Sequence, residues 1–239
     1  MYPPEYFAAS PAAIHNLLTA PAAANLITST TKGLLATFLP FVYNPSVGDH
    51  GTLHAHVARS NPQWSEPALG EALAIIQGSD AYISPTWYAS KAEHGRVVPT
   101  WNHSTARVYG RLIIHDDPAW LGHHVRALSN LNEAGTERPW TVDDAPARYI
   151  SGQLKGIVGI ELLITRIEAT SKLSQNKSAA DVAGVVAGLH ARGDAQMARD
   201  VERANSRIPD EATVPGTAVP NGPTTCPGQP SNCEQASNS

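Results

Sequence analysis

Cysteine is nearly absent from this chain. Its 239 residues contain two, Cys226 and Cys233, both in the C-terminal stretch. The part able to fold therefore has no thiol chemistry and no disulfide frame, and a bond between those two would brace only the tail. Charge is sparse as well. Charged residues make up 16% of the chain, no long charge run occurs, and the formal net charge is -4 with a pI near 6.2. A broadly basic nucleic-acid surface is excluded, though not a local patch. No run approaches the roughly 20 apolar residues of a membrane span. The opening MYPPEYFAAS has neither a cationic nor an apolar signal region. The expectation is a soluble, cytoplasmic protein with no membrane partner. P-loop, GxGxxG and nucleophile-elbow motifs are also missing, and Ser-His-Asp catalysis has no supporting motif.

What is present is enough for one substantial domain, since 42% of residues are apolar. Pro11 to Leu18 reads as a short helix capped by Ser10, with Ile14, Leu17 and Leu18 on one face. Ala22 to Thr31 and Gly33 to Tyr43 read as strands joined by a hairpin at Lys32-Gly33. Pro40 marks a bulge or an edge in the second strand. Thr52 to Arg59 alternates, with Leu53, Ala55 and Val57 on one side. Leu73 to Ile76 is an apolar run, followed by a turn at Gly78-Ser79-Asp80 and a strand at Ala81 to Ser84. Arg107 to His115 and Ile157 to Ala169 are further strands. Closely spaced short strands suit an antiparallel barrel or sandwich.

Helices are expected at Pro118 to Glu133, with Leu121, Val125, Leu128 and Leu131 as its apolar face, and at Asp143 to Leu154. A final helical pair, Ala179 to His190 and Gln196 to Ala204, is broken at Gly193. From Ile208 onward Pro, Gly, Ser, Thr, Asn and Gln dominate, a composition expected to stay disordered. The expected domains are therefore 1–207 and a 208–239 tail. There is no internal repeat.

The densest chemistry lies between Gly51 and Lys91, with a coda at Val98 to Asn102. His54 and His56 share a strand face and could ligate a metal. Only Asp49 and His50 are near, in a turn, so no metal is expected. His56, Arg59, Ser60 and Asn61 at a strand end could instead cradle an anion, the planar guanidinium matching phosphate oxygens. The alternative is a capped turn with a surface arginine. Trp64, Trp87, Tyr88 and Trp101 are either core or a stacking surface for a flat ring. Gly95-Arg96 is expected to form a hairpin bringing Trp87 and Trp101 together. Lys91 follows SPTWYASK and faces either solvent or a pocket. Lys172, Ser174, Gln175 and Asn176 either cap the helix that follows or supply donors to a heterocycle.

The strings HVARSNPQW, AYISPTWYASK, VPTWN and KLSQNKSAADVAGVVAGL, together with MYPPEYF, closely resemble the PaiB family of FMN-binding negative transcriptional regulators. The resemblance runs over roughly residues 1 to 205. It implies an α+β, mainly β fold: an antiparallel split β-barrel with flanking helices, related to pyridoxamine-phosphate-oxidase-like flavoproteins. It also implies a homodimer with FMN at the subunit interface. Carried over, His56, Arg59 and Asn61 would meet the phosphate, and LLATFLP would pass its backbone along the flavin near Thr37 and Phe38. Ser84, Trp87, Tyr88 and Lys91 would come from SPTWYASK, Trp101 and Asn102 from VPTWN, and Lys172, Gln175 and Asn176 from KLSQN. Two departures stand out. Gln77 replaces an apolar or aromatic residue, and HSTAR follows TWN where the family has an aromatic and then an apolar residue.

Three functions follow as expectations. One is an FMN-binding regulator, for which direct DNA binding lacks support in the charge. The second is a flavin-dependent oxidoreductase acting on a small molecule, with His56 and His103 as candidates for proton handling. The third is a scaffold that has lost the cofactor.

Overall fold

The computed structural model describes residues 4–20 and 22–206. The expected tail at 208–239, with its two cysteines, lies outside the described residues.

Six antiparallel strands close into a barrel in the order β1-β2-β3-β6-β5-β4. They are β1 (Ala22–Thr30), β2 (Gly33–Asn44), β3 (Thr52–Ala58), β4 (Ala72–Ile83), β5 (Thr100–His115) and β6 (Ile157–Lys172). The helices are α1 (Pro11–Thr19), α2 (Ser90–His94), α3 (Pro118–Glu133), α4 (Ala147–Leu154), α5 (Ala179–Arg192) and α6 (Ala195–Asn205). The expected mainly-β α+β class holds.

Period-two alternation fills the barrel. Leu53, Ala55 and Val57 of β3 point inward beside Phe41, Ile76, Val108, Ile160 and Leu162. Ser10 caps α1 through the Ala13 amide, with Pro11 at the first helical position. Leu18 buries at the barrel core, flanked by Ile14 and Leu17. A second core at the far end joins α5 and α6 to Ala81, Ile83, Tyr88 and Leu173.

The barrel has a gap. β2 pairs with β1 along its length but with β3 only at Val42, Tyr43 and Asn44. Continuing that register would set His56 opposite Pro40. Proline has no N–H to give a ladder, so the strands part where it stands. Residues 33–41 are thus paired on one side only.

Four expectations change. Residues 72–83 are one strand rather than a run, a turn and a strand, because a bulge between Gln77 and Asp80 absorbs the glycine. β5 begins at Thr100, not Arg107. The stretch after Tyr88 is a helical turn ending in Gly95 at φ 66°, not a hairpin. On α3, Leu121, Gly122 and His124 are the buried residues, while Val125, Leu128 and Leu131 are half-buried, because only the first turns of the helix lie on the barrel.

Candidate functional site

The expected site residues fall into two groups. The first surrounds the gap. Beyond β3 the chain turns at Asn61, whose side-chain oxygen accepts from the Gln63 amide at 2.8 Å and caps the short turn Pro62–Trp64. The Asn61 amide then reaches across the opening to the Thr37 hydroxyl at 3.0 Å. Thr37 accepts that bond, so its own proton remains to be donated. Phe38 beside it is 71% exposed on the outer face.

Arg59 turns away from the gap. Its fork grips both oxygens of Asp116, Nε donates to the Lys155 carbonyl at 2.8 Å and Nη2 to the Ile157 carbonyl at 3.0 Å. Four of its five N–H groups are committed, so it fastens the end of β3 to the start of β6. The hydrogen bond from Arg59 holds the Asp116 carboxyl below the usual range. Arginine in this pattern signals a bidentate anion partner, and the anion in this chain is its own aspartate.

His56 enters a third arrangement that sequence reasoning missed. Its Nδ1 lies 3.0 Å from Nε2 of His124 on α3. Trp120 stacks on His115 at 4.2 Å and on His124 at 5.4 Å, with His54 at 5.3 Å. Gly159 makes room, since a Cβ there would lie 2.3 Å from the Trp120 ring. Burial lowers the pKa of both His54 and His56. It drives His124 down to about 3, helped by the two neighbouring imidazoles. No group of side chains suited to a metal occurs among the described residues.

The second group is at the opposite end. On β6, Gly159 pairs with His56 whereas Lys172 pairs with His103. Their partners on β6 are thus thirteen residues apart, and His56 and His103 do not meet. Lys172 donates to the Thr100 hydroxyl, and Gln175 braces its own turn through Ser171 and Leu173. Asn102 is fully buried and donates to Ser174 at 2.9 Å, while its oxygen has no partner among the described residues. Trp101 is half-exposed and donates to Asp80 at 2.8 Å. His103 is half-buried, its pKa lowered by burial and then by Lys172.

Trp87 lies on Gly188, under the Arg192 guanidinium at 5.1 Å, apart from Trp101. Tyr88 is 3% exposed and belongs to the second core. Ser84 caps the turn Pro85–Trp87, and Lys91 and Asn176 stand exposed at the surface. Asp181, which the sequence reading passed over, accepts from both the amide and the hydroxyl of Ser90 and ties α2 to α5. Its signal was available: an acid in the first turn after Ser178.

Residues 1–166 match the family described as "Putative FMN-binding domain". The chain belongs to that family. Among curated relatives, it is 31% identical over 191 residues to protease synthase and sporulation protein PAI 2 of Bacillus subtilis, covering 79% of this chain and 89% of that one. An uncharacterised protein of Aspergillus fumigatus is 34% identical over 178 residues, covering 60% and 67%. A conserved protein of Mycobacterium tuberculosis has a TM-score of 0.48 at 11% identity, covering 74% of this chain and 94% of its own. The FAD and heme binding protein of Mycobacterium smegmatis has a TM-score of 0.47 at 14% identity, covering 75% and 80%. Likenesses that loose bear on neither cofactor nor chemistry.

The residues present fit the family's cofactor, FMN. A flavin edge alternates acceptors with one N–H donor. The open side of β2 at residues 33–41 offers alternating backbone N–H and C=O groups with no strand partner. Thr37 adds a hydroxyl donor, and the second group adds the Lys172 ammonium.

Proposed function

We propose that two copies of this chain bind FMN between them, each copy giving one group of residues to each flavin. The observation that carries this is the separation of the two groups. On this reading each is half a site, and a second copy brings the other half. The open edge of β2, Thr37 and Asn61 would come from one protomer, and Trp87, Trp101, Lys172 and Gln175 from the other. Arg59 positions the turn that holds Asn61.

The outer face of β2 supports the pairing. Leu34 is 75% and Phe38 71% exposed. By register Ile27 lies on β1 between their partners Asn25 and Ser29, with Leu73 and Ile75 one strand further on β4. Such an apolar patch is costly in water and is self-complementary across a two-fold axis.

Bound FMN would supply electron and hydride transfer. The chain's own part is to orient the ring, exclude water with its aromatics and hold nearby imidazoles neutral. The PAI 2 relative is named for protease synthesis and sporulation, which favours a regulatory role for the present chain. That role would act through the flavin rather than through DNA. Several arginines are answered by acids, as in Arg192–Asp194, Arg203–Asp200 and Arg166–Glu168, and the formal net charge of the chain is -4. No helix among the described residues is long and apolar enough to cross a membrane.

A second reading, flavin-dependent oxidoreductase, is favoured by His103. Kept neutral beside Lys172, it can take a proton at either end of a turnover. NAD(P)H consumption by the loaded protein would mark it, and its absence would leave the regulatory reading.

The experiment is sedimentation of the purified protein with its visible spectrum recorded. The expected species is a yellow dimer carrying one FMN per chain. Phe38→Glu should give colourless monomers that keep the wild-type far-UV circular dichroism. Thr37→Val should stay dimeric and bind FMN about five- to tenfold more weakly, the effect of one lost hydrogen bond. A monomer that retains FMN would end the two-copy reading.

A further inference from the structure

A cavity of about 640 Å³ lies apart from both flavin half-sites, between α3, α4 and the end of β3. Its volume is within the range of small-molecule sites. Leu121 and Val142 form a buried apolar floor, with Ile150 and Leu154 of α4 forming the wall above. Charge gathers at its rim. Arg59 pairs with Asp116 and Arg126 with Asp143, which leaves Lys155 as the lining cation with no carboxylate partner among the described residues. Three cations against two carboxylates give the rim one net positive charge.

We propose that this cavity binds a small amphipathic anion, a carboxylate with an aliphatic body. The apolar floor and wall take the body, and Lys155 with the outer face of Arg126 takes the head. An apolar cation finds the same walls but meets a positive rim. A neutral alcohol gains the walls alone. The site needs neither FMN nor the second copy, so it stands whether or not the flavin reading does. Its neighbour Arg59, which fastens β3 to β6, gives a filled cavity a direct mechanical link to the turn carrying Asn61.

The test is calorimetric titration of the FMN-saturated full chain with decanoate, with decyltrimethylammonium and decanol as controls. Decanoate is expected to bind once per chain, at least tenfold more tightly than either control. Lys155→Gln should weaken decanoate about tenfold and leave decanol unchanged. Ile150→Trp, which fills the cavity, should abolish binding. Ala147→Leu, at the cavity mouth, serves if the tryptophan variant does not fold. Equal affinity for decanoate and decyltrimethylammonium would overturn the proposal. So would decanoate binding that survives both filled variants, or release of FMN by decanoate, which would make the cavity part of the flavin site.

Discussion

Gly184→Ala is expected to destabilise the protein by about 3 kcal/mol, against the ordinary sign of that substitution. Glycine inside a helix normally costs up to about 1 kcal/mol relative to alanine, so the exchange should help. In α5 it cannot. A Cβ at position 184 would lie 1.9 Å from the carbonyl oxygen of Trp87 and 3.1 Å from its carbon. Both are backbone atoms, held in the turn that Ser84 caps. The helix must move away from the barrel end or the turn must break. Overpacking of this kind costs roughly 1–3 kcal/mol and the upper end applies when no side chain can swing aside. For a chain of this size the drop in Tm is about 6–12 °C. Ala187→Gly, on the exposed side of the same helix, is the reference and should lose only about 1 kcal/mol. Urea unfolding of both variants decides the matter. A Gly184→Ala protein as stable as wild type would mean that α5 does not press on Trp87.

That contact also shows why part of the site could be read from sequence and part could not. Strand positions were legible because burial repeats every second residue, as in Leu53, Ala55 and Val57. Ser10 and Pro11 announced α1 by local hydrogen-bonding rules alone. Pro40 marked the gap beside which Thr37 and Asn61 meet, since a missing N–H is a property of the residue itself. What stayed hidden depends on register between distant segments. Nothing near Arg59 indicates that Asp116, 57 positions away, closes its fork. Nothing in SPTWYASK indicates that Trp87 belongs with Gly184 and Gly188 rather than with Trp101. Gln77 and Gly78 look like a turn because the bulge that absorbs them is defined only by the partner strand β5. The histidines were visible singly, but their gathering around Trp120 needs α3 laid across β3, β5 and β6. Chain order places Arg59, Trp87 and Lys172 in one continuous motif list. The barrel sends Arg59 and Lys172 to opposite ends of β6.

Lowering the pH from 7.5 to 5.0 should cost about 2 kcal/mol of stability through His124 alone. Its ring is 3% exposed, Nδ1 has no partner among the described residues, and its pKa is down to about 3 from 6.5. Below pH 6.5 the unfolded chain takes up a proton at this residue that the folded chain refuses. The unfolded state is therefore favoured progressively as pH falls from about 6.5 to about 3, and no further beyond. pH 5.0 lies about 1.5 units into that window, and each unit is worth about 1.36 kcal/mol. His54 and His56, also lowered by burial, and His103 add to the loss in the same direction. Glu161 opposes the shift at His54 but is paired with His115 at 2.7 Å. The lowered carboxyls of Asp116 and Asp181 do not enter, because their contribution is lost only below 3.8. Urea unfolding of wild type and His124→Gln at both pH values, at fixed ionic strength, isolates the residue. The variant should be less stable at pH 7.5, having lost packing against Trp120. Its further loss on going to pH 5.0 should be smaller than that of wild type by about 2 kcal/mol. Equal losses in the two proteins would mean that water reaches His124 and that the stacked imidazole cluster opens in solution.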